Sequence, residues 1–250
     1  MIAFDKEQRV IVTGASSGIG EGIALLLNKL GASVIGIGRS RERLEAMKAK
    51  CARPENAFLE LKDLTDDIGG LPEYVKSLKE KYGKFHGLAL CAGIAALKPL
   101  QLLPLEETKR RFDINYFSPL FLAKGFADRR VNNGKGSSIV AISSAAAARG
   151  DKGMAAYAGS KAALSASMKS TSRELAVGGV RVNVLSPSDI KTPMTMNEDL
   201  TDLRKDREAL YPLGFGEVED VACFAAYLLS DRAKWLTSQN YTVDCGCGVI

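Results

Sequence analysis

The stretch Arg9–Gly20, RVIVTGASSGIG, sets a β-branched run before a turn with three glycines, and an apolar helical pattern follows to Leu30. Glycine lets the backbone turn sharply and approach a ligand without a Cβ in the way. A helix beginning at about Gly18 directs its free backbone N–H groups and its partial positive charge at this turn. The stretch therefore predicts strand, turn and helix around a pyrophosphate site. The predicted contacts are Gly14, Ser16, Ser17, Gly18, Ile19 and Gly20.

Outward from this turn, short apolar runs alternate with helical patterns along the chain. The predicted strands are Arg9–Thr13, Ser33–Gly38, Ala57–Leu61, Leu88–Cys91, Ser138–Ser143, Val180–Leu185 and Asn240–Val243. The longest predicted helices are Leu105–Arg130 and Ala155–Val177. Parallel strands need helical crossovers. The pattern therefore predicts the α/β class: a single-domain, Rossmann-like, doubly wound parallel sheet of about seven strands, with helices on both faces.

Composition is near globular averages, with 46% hydrophobic and 25% charged residues in 250, and we find no linker or repeat. One domain is therefore expected over 1–250. The segment 192–211 is charged and mixed in period, which predicts a substrate lid. The net charge of +5 is mild, and no cluster of Lys and Arg is dense enough to suggest a nucleic-acid partner.

Five scattered cysteines and one histidine, His86, argue against a disulfide framework and against a metal site. We expect the thiols to be reduced and buried, and His86 to lie at the surface before a strand. No signal peptide is evident, and no apolar run reaches the ~20 residues that span a bilayer. The expectation is a cytoplasmic protein without a membrane partner.

Tyr157 and Lys161 are four residues apart, so in a helix both side chains project from one face. Tyrosine has an ordinary pKa of ~10, too high for easy proton exchange at neutral pH. A nearby ammonium favours the phenolate, so we expect Lys161 to lower the pKa of Tyr157 towards the range useful for general acid–base catalysis.

With its G-x-x-x-G-x-G turn and its Tyr-x-x-x-Lys pair, the sequence resembles the short-chain dehydrogenase/reductase family over nearly the whole chain. The resemblance implies that Ser144, thirteen residues before Tyr157, hydrogen bonds the substrate oxygen, and that Asn115 holds a water in a proton relay. Lys161 is implied to hold the nicotinamide ribose. Further cofactor contacts implied by the resemblance are Asp63, Leu64, Ala92, Gly93, Pro187, Ser188, Ile190 and Thr192.

The end of the second strand bears on the choice between NAD and NADP. Gly38 stands where NAD-preferring relatives carry Asp, and Arg39 and Ser40 follow it. A guanidinium can pair a 2′-phosphate, whereas a carboxylate would repel it. We therefore predict NADP(H), with Arg39 as the selecting residue. Arg41 and Arg43 are interpreted as the solvated start of a helix.

Several family positions are altered here. Asn-Asn-Ala-Gly appears as Leu90-Cys91-Ala92-Gly93, Ser188 replaces the glycine of Pro-Gly, and Ser238 and Cys245 replace glycines near the C-terminus. The four catalytic positions, Asn115, Ser144, Tyr157 and Lys161, are intact. This pattern favours a diverged enzyme over an inactive one.

The predicted function is transfer of a hydride between NADP(H) and a small ketone or secondary alcohol, with Tyr157 as general acid and base. A 3-oxoacyl-carrier-protein reductase in particular, and a non-catalytic NADP-binding sensor, remain as alternatives. The resemblance also implies a homo-oligomer, a tetramer or dimer joined through the two long helices, whose small residues in Ala155–Ser172 allow close packing.

Overall fold

The computed structural model of the chain describes residues 2–196 and 209–249. All seven strands of its one sheet pair in parallel, in the order β3-β2-β1-β4-β5-β6-β7. The strands are β1 Arg9–Thr13, β2 Ser33–Gly38, β3 Ala57–Leu61, β4 Gly87–Leu90, β5 Ser138–Ile142, β6 Arg181–Pro187 and β7 Asn240–Val243. The predicted α/β class and doubly wound parallel sheet are confirmed.

Helices cover both faces of the sheet. They are α1 Gly18–Lys29, α2 Arg41–Ala49, α3 Leu71–Tyr82, α4 Leu105–Phe112, α5 Ser118–Phe126, α6 Ala146–Arg149, α7 Ala155–Ala176 and α8 Val218–Leu229. One core cluster joins the sheet to α1, α2 and α8, and the other joins it to α3, α5 and α7. The order of strands reverses between β1 and β4, and ligands of such sheets bind at the carboxyl ends of the strands beside this point.

Strand β1 shows why the apolar runs form buried strands. Val10, Ile11 and Val12 are all fully buried, with Val10 and Val12 in one core cluster and Ile11 in the other. Side chains alternate between the faces of a strand, so a strand covered on both sides needs apolar residues at every position. Each such side chain stabilises the fold by roughly 1.5–3 kcal/mol.

The predicted helix Leu105–Arg130 is interrupted and ends earlier. A π-helical turn at Asp113–Phe117 separates α4 from α5. Pro119, in the first turn of α5, has no N–H to donate back into the preceding turn. The Ser118 hydroxyl instead donates to the carbonyls of Asp113, at 2.7 Å, and Leu64, at 2.8 Å. The break turns Asn115 into the protein interior, where it is fully buried.

The prediction of a surface position for His86 is wrong. Its side chain is 6% exposed and packs edge-to-face on Phe4, with ring centroids 6.3 Å apart. Its backbone N–H already bonds the carbonyl of Arg9 on β1, so the sheet begins to cover this residue before β4. Burial lowers the pKa of His86 below its ordinary value.

The five cysteines are all free thiols, but the expectation that they are buried holds only for Cys51 and Cys247. Cys91 and Cys245 are half-buried, and Cys223 is exposed on α8. Two of the residues that replace family glycines, Ser238 and Cys245, have φ of 64° and 57°. This left-handed conformation costs a residue with a Cβ roughly 1–2 kcal/mol, which is why glycine suits both positions.

None of the helices in residues 2–196 and 209–249 combines the length and apolarity that crossing a bilayer requires. Of the predicted lid at 192–211, residues 197–208 lie outside the described residues, and with them Leu200 and Leu203. Thr192 begins a turn in which the backbone N–H of Met196 bonds its carbonyl at 2.9 Å.

Candidate active site

The turn after β1 packs so closely against the neighbouring backbone that several of its positions require glycine. Gly14 and Gly18 have φ of 66° and 56°. A Cβ on Gly20 would lie 2.3 Å from the carbonyl oxygen of Gly14, so the turn closes on the helix only with glycine there. Helix α1 begins at Gly18, and the side chain of its N-cap residue, Ser17, makes no capping hydrogen bond. The first N–H groups of α1 therefore face the carboxyl edge of the sheet without a side-chain cap.

Thr13 ties this turn to the neighbouring strand. Its hydroxyl oxygen accepts hydrogen bonds from the backbone N–H groups of Cys91, at 2.9 Å, and Ala92, at 3.1 Å. This brace holds the ends of β1 and β4 together where the sequence has Leu90 and Cys91 in place of the family's two asparagines.

A cavity of about 210 Å³ opens at the ends of β1 and β2. Gly38 at the end of β2 is packed tightly, since a Cβ there would lie 3.1 Å from Leu44 and 3.2 Å from the Ser16 hydroxyl. Three cationic residues line this cavity: Arg39, Arg43 and Lys62. Arg43 is exposed in the first turn of α2, as predicted, and it also lines the cavity, which the sequence did not predict. Lys62 was not predicted either.

Asp63 does not line this cavity. Its carboxylate accepts the backbone N–H and the hydroxyl of Thr65, at 2.9 and 2.7 Å, and lies 3.5 Å from the guanidinium of Arg39. Partial burial acts to raise the pKa of Asp63, but the bonds from Thr65 and the charge of Arg39 outweigh it and lower that pKa. Asp63 therefore lies beside the cavity and holds the Arg39 guanidinium in position.

A second cavity, of about 180 Å³, continues along the carboxyl ends of β1, β4, β5 and β6. Gly14, Ser17, Ala92, Gly93 and Ile94 line both cavities, which makes them one cleft. The cleft brings together most of the predicted cofactor residues: Gly14, Ser16, Ser17, Gly18, Ile19, Gly20, Arg39, Ser40, Leu64, Ala92, Gly93, Tyr157, Lys161, Pro187, Ser188, Ile190 and Thr192. The elongated cleft, its glycines and its cations fit the shape and charge of a dinucleotide.

Tyr157 and Ser144 stand at the junction of this cleft with a third cavity. The Ser144 hydroxyl lies close enough to Tyr157 to lower the pKa of its phenol. Both line the second cavity and the third, which has a volume of about 140 Å³. Ser143 points to the other side, as strand alternation predicts, where its hydroxyl donates to the Lys161 carbonyl at 2.9 Å. A ligand oxygen placed between the cavities would therefore meet both the serine hydroxyl and the phenol.

Burial dominates the titration of Tyr157. It raises the pKa of the phenol, the nearby Ser144 hydroxyl lowers it, and the negative charge of Asp189 raises it again. The prediction that Lys161 lowers this pKa is wrong for the protein alone. The Lys161 ammonium lies 5.9 Å from the centre of the Tyr157 ring and donates to the Ile142 carbonyl at 2.8 Å.

Lys161 is itself strongly affected by burial. Loss of solvent lowers the pKa of its ammonium to about 8. It meets Asn115 around Gly93, where a Cβ would lie 2.9 Å from the Asn115 Oδ1 and 3.3 Å from the Lys161 Nζ. Glycine at 93 thus leaves room for both side chains beside the loop after β4.

Asn115 is held by three hydrogen bonds. Its Oδ1 accepts from the backbone N–H of Ile94 at 2.9 Å, and its Nδ2 donates to the Ile94 carbonyl, at 3.0 Å, and the Ser160 hydroxyl, at 3.1 Å. It lines neither part of the cleft. Its observed contacts fix the loop after β4 against α7, the helix that carries Tyr157 and Lys161.

The third cavity extends from Tyr157 and Ser144 between the segments that follow β4, β5 and β6. Its apolar lining includes Leu97, Met154, Met194 and Phe215. Three charged residues, Arg149, Asp151 and Asp189, also line it. Of these residues only Met194 lies in a segment that the sequence predicted to contact substrate, the lid at 192–211. Arg149 ends the short helix α6 and the others lie in irregular segments, so no periodicity marks them as lining residues.

Comparison with known proteins gives consistent matches along the chain. The family model described as Enoyl-(Acyl carrier protein) reductase matches residues 14–248. A 3-oxoacyl-[acyl-carrier-protein] reductase of Rickettsia conorii is 36% identical over 94% of this chain and 95% of its own length. D-erythrulose reductase of Gallus gallus is 31% identical, over 96% and 95%.

Solved structures agree. A structure titled short-chain dehydrogenase/reductase, glucose/ribitol dehydrogenase, from Brucella melitensis superposes with a TM-score of 0.90 at 30% identity, covering 99% of both chains. A short chain dehydrogenase from Burkholderia cenocepacia, solved in complex with NADP, superposes with a TM-score of 0.87 at 28% identity, covering 97% of this chain and 98% of that one.

Proposed function

Since the chain belongs to the short-chain dehydrogenase/reductase family, whose oxidoreductases use a nicotinamide cofactor, we propose that it interconverts ketones and secondary alcohols with NADP(H). Tyr157 is the general acid and base, and Ser144 orients the reacting oxygen. The observation that carries this proposal is that Ser144 and Tyr157 both line the junction of the dinucleotide cleft and the third cavity.

The bound nicotinamide would supply a hydride to a carbonyl carbon, or take one back from an alcohol. During reduction the carbonyl oxygen gains negative charge, which the Ser144 hydroxyl stabilises by donating a hydrogen bond. Tyr157 then gives its proton to that oxygen. The raised pKa of Tyr157 keeps the phenol protonated at neutral pH, and therefore ready to act as an acid.

Lys161 and Asn115 contribute to this step by holding the cofactor and the surrounding segments in place. Lys161 lies where a nicotinamide ribose would rest, beside Gly93 and Ile142. We assign it to holding the ribose hydroxyls. Asn115 positions the loop and helix around it through Ile94 and Ser160.

The preference for NADP(H) over NAD(H) is supported by the charges at the end of β2. Gly38 leaves this end of the strand without a carboxylate, and Arg39, Arg43 and Lys62 line the cavity beside it. A 2′-phosphate would meet three cations there, whereas a bare ribose hydroxyl would gain little from them.

The direct test is turnover of a panel of ketones and alcohols, followed by NADPH and NADH absorbance, with wild type and Tyr157→Phe. We expect turnover with NADPH, and a loss of about 10²- to 10⁴-fold in kcat for the variant, because the phenol proton is gone. NADPH fluorescence should show that the variant still binds cofactor. Full activity of Tyr157→Phe would contradict the mechanism.

A reductase of 3-oxoacyl groups on a carrier protein is the second candidate, favoured by the identity with the Rickettsia conorii enzyme. A non-catalytic NADP sensor would bind NADPH in the same assay and turn over none of the panel.

We also propose a homo-oligomer, a tetramer or dimer, supported by large apolar side chains left exposed on this chain: Trp235 is 93% exposed and Val177 88%.

A further inference from the structure

The third cavity has a charged wall. Arg149, Asp151 and Asp189 are the charged members among the described residues that line it. Arg149 and Asp151 form an ion pair, and Asp189 lines the same cavity. The wall is shared with the reacting groups, because Ser144 and Tyr157 line the same cavity.

Arg149 holds the wall in a fixed arrangement. Its Nε and Nη2 donate to the two carboxylate oxygens of Asp151, both at 2.7 Å, in the two-pronged geometry that orients a guanidinium. Its Nη1 lies 3.2 Å from the Ser188 hydroxyl and 3.1 Å from the Cys247 sulfur. The segments after β5 and β6 and the C-terminal segment thus converge on one side chain.

Asp189 is held by a second set of contacts. The Tyr211 hydroxyl donates to its Oδ2 at 2.7 Å and lies 2.6 Å from the Ser188 hydroxyl. The backbone carbonyl of Asp189 accepts from the N–H of Gly216 at 3.0 Å. Its charge also reaches the phenol of Tyr157, whose pKa it helps to raise. The carboxylate is therefore both preorganised and close to the reacting position.

Such a wall favours substrates whose groups can form hydrogen bonds with its charged side chains. An aliphatic chain can pack on the apolar side of the cavity, but against the Asp189 carboxylate it would remove water and supply no hydrogen bond in its place. Neutral hydroxyl groups both donate and accept, and a carboxylate has about four acceptor positions, so it can take a substrate hydroxyl in addition to the bonds it already receives.

Building on the proposed function, we infer that the substrate is a small ketone with hydroxyl groups near its carbonyl, or the corresponding polyol, and that Asp189 accepts a hydrogen bond from one of those hydroxyls. Asp189 is then a specificity residue. Arg149, Asp151 and Tyr211 are positioning residues that keep the wall in place.

The test compares kcat/KM with NADPH for three ketones: erythrulose in either enantiomer, 2-butanone, which has the same carbon chain without hydroxyls, and an acetoacetyl N-acetylcysteamine thioester. We expect wild type to prefer erythrulose over 2-butanone by at least about 100-fold, and over the thioester as well. Asp189→Asn should lower kcat/KM for erythrulose by about 10- to 100-fold, because a bond to a charged acceptor is replaced by a neutral one. The value for 2-butanone should change little.

The 2-butanone measurement separates specificity from any effect of Asp189 on the proton transfer, which would change both ketones alike. Asp189→Leu provides a second variant, in which the ratio of 2-butanone to erythrulose activity should rise further. NADPH binding and thermal unfolding show whether each variant is folded. Asp244→Asn is the matched control, since that carboxylate bonds the N–H groups of Gly246 and Gly248 and does not line the third cavity.

A wild-type preference for 2-butanone or the thioester, or a preference for erythrulose that Asp189→Asn leaves unchanged, overturns this inference while the proposed function stands. Binding of NADPH with no turnover of any ketone in the panel overturns both. A drop of equal size for erythrulose and 2-butanone assigns Asp189 to the chemistry and also overturns the specificity role.

Discussion

The two ends of the cleft recognise their ligands by different means. The cofactor end consists largely of backbone: the turn Gly14–Gly20 and the end of β2 approach closely because glycine is present. The substrate end consists of side chains held by other side chains, with Arg149, Ser188 and Tyr211 joined by hydrogen bonds.

The two ends also differ in how far apart their parts lie in the sequence. The turn that faces the cofactor is a single stretch of seven residues, from Gly14 to Gly20. The wall of the third cavity joins positions up to 98 residues apart, as in the contact between Arg149 and Cys247. A local motif can therefore specify cofactor binding, whereas substrate selection depends on the assembled fold.

The largest expected effect is a loss of NADPH affinity from a change at the cofactor end of the cleft alone. In Gly20→Ala the new Cβ would meet the Gly14 carbonyl at 2.3 Å. Relieving that clash costs about 3 kcal/mol, which we expect to appear as a Kd for NADPH about 100-fold higher. The matched control is Gly159→Ala, also within a helix, whose Cβ would meet only Phe112, at 3.7 Å. NADPH fluorescence titration measures both, and equal affinities would contradict the close-approach argument.

The next effect concerns Lys161, where the two ends meet. Its pKa is lowered to about 8 by burial, while an unfolded lysine titrates near 10.4. Between these values the unfolded chain binds the additional proton, so the free energy of unfolding rises with pH across this window and is lowest below pH 8. The rise amounts to roughly 3 kcal/mol.

Urea unfolding of the protein without added cofactor, from pH 7.5 to 10.5, measures this rise. Lys161→Met should lack it, and the difference between the two proteins removes contributions of other titrating groups. The same pH slope in both proteins would show that Lys161 stays ionised in the folded state.

The smallest expected effect concerns Arg39 and the preference for NADPH over NADH. Arg39 is 62% exposed and already pairs with Asp63, so its attraction for a 2′-phosphate is reduced by solvent and by competition. We expect Arg39→Ala to raise KM for NADPH by about 10-fold, or ~1.4 kcal/mol, and to leave KM for NADH nearly unchanged. Arg41→Ala, which removes an arginine two residues further on that does not line the cavity, is the control. An equal effect on both cofactors would remove Arg39 as the selecting residue.

Buried strands were the part of the fold most open to prediction. The bounds predicted for β1, β2, β3 and β7 match the structure. For β1 and β2 the reason is that an apolar run buried on both faces begins and ends abruptly. The interruption before α5 was missed, since the sequence of Leu105–Phe126 keeps a helical period through the π-helical turn. The spacing of apolar residues does not reveal a turn that holds one additional residue, so the π-helical turn could not be predicted from it.

The titration of Tyr157 shows a different limit. The spacing of Tyr157 and Lys161 places both on one face of α7, as predicted, but the sign of the pKa shift depends on burial and on Asp189, 32 residues away. The exposure of His86 was predicted wrongly for a related reason. Exposure is set by which other segments pack over a residue, and no local pattern contains that information.

By itself, the sequence determined the parallel sheet, the glycine turn, and the order in which Ser144, Tyr157 and Lys161 come along the chain. These follow from short-range rules: alternation in strands, the missing Cβ of glycine, and the turn of a helix. The tertiary structure alone decided that Lys62 and Arg43 join Arg39, and that Asp189 faces the cavity of Tyr157. Such contacts arise between segments distant in sequence, where only the folded chain fixes distance, charge and access to water.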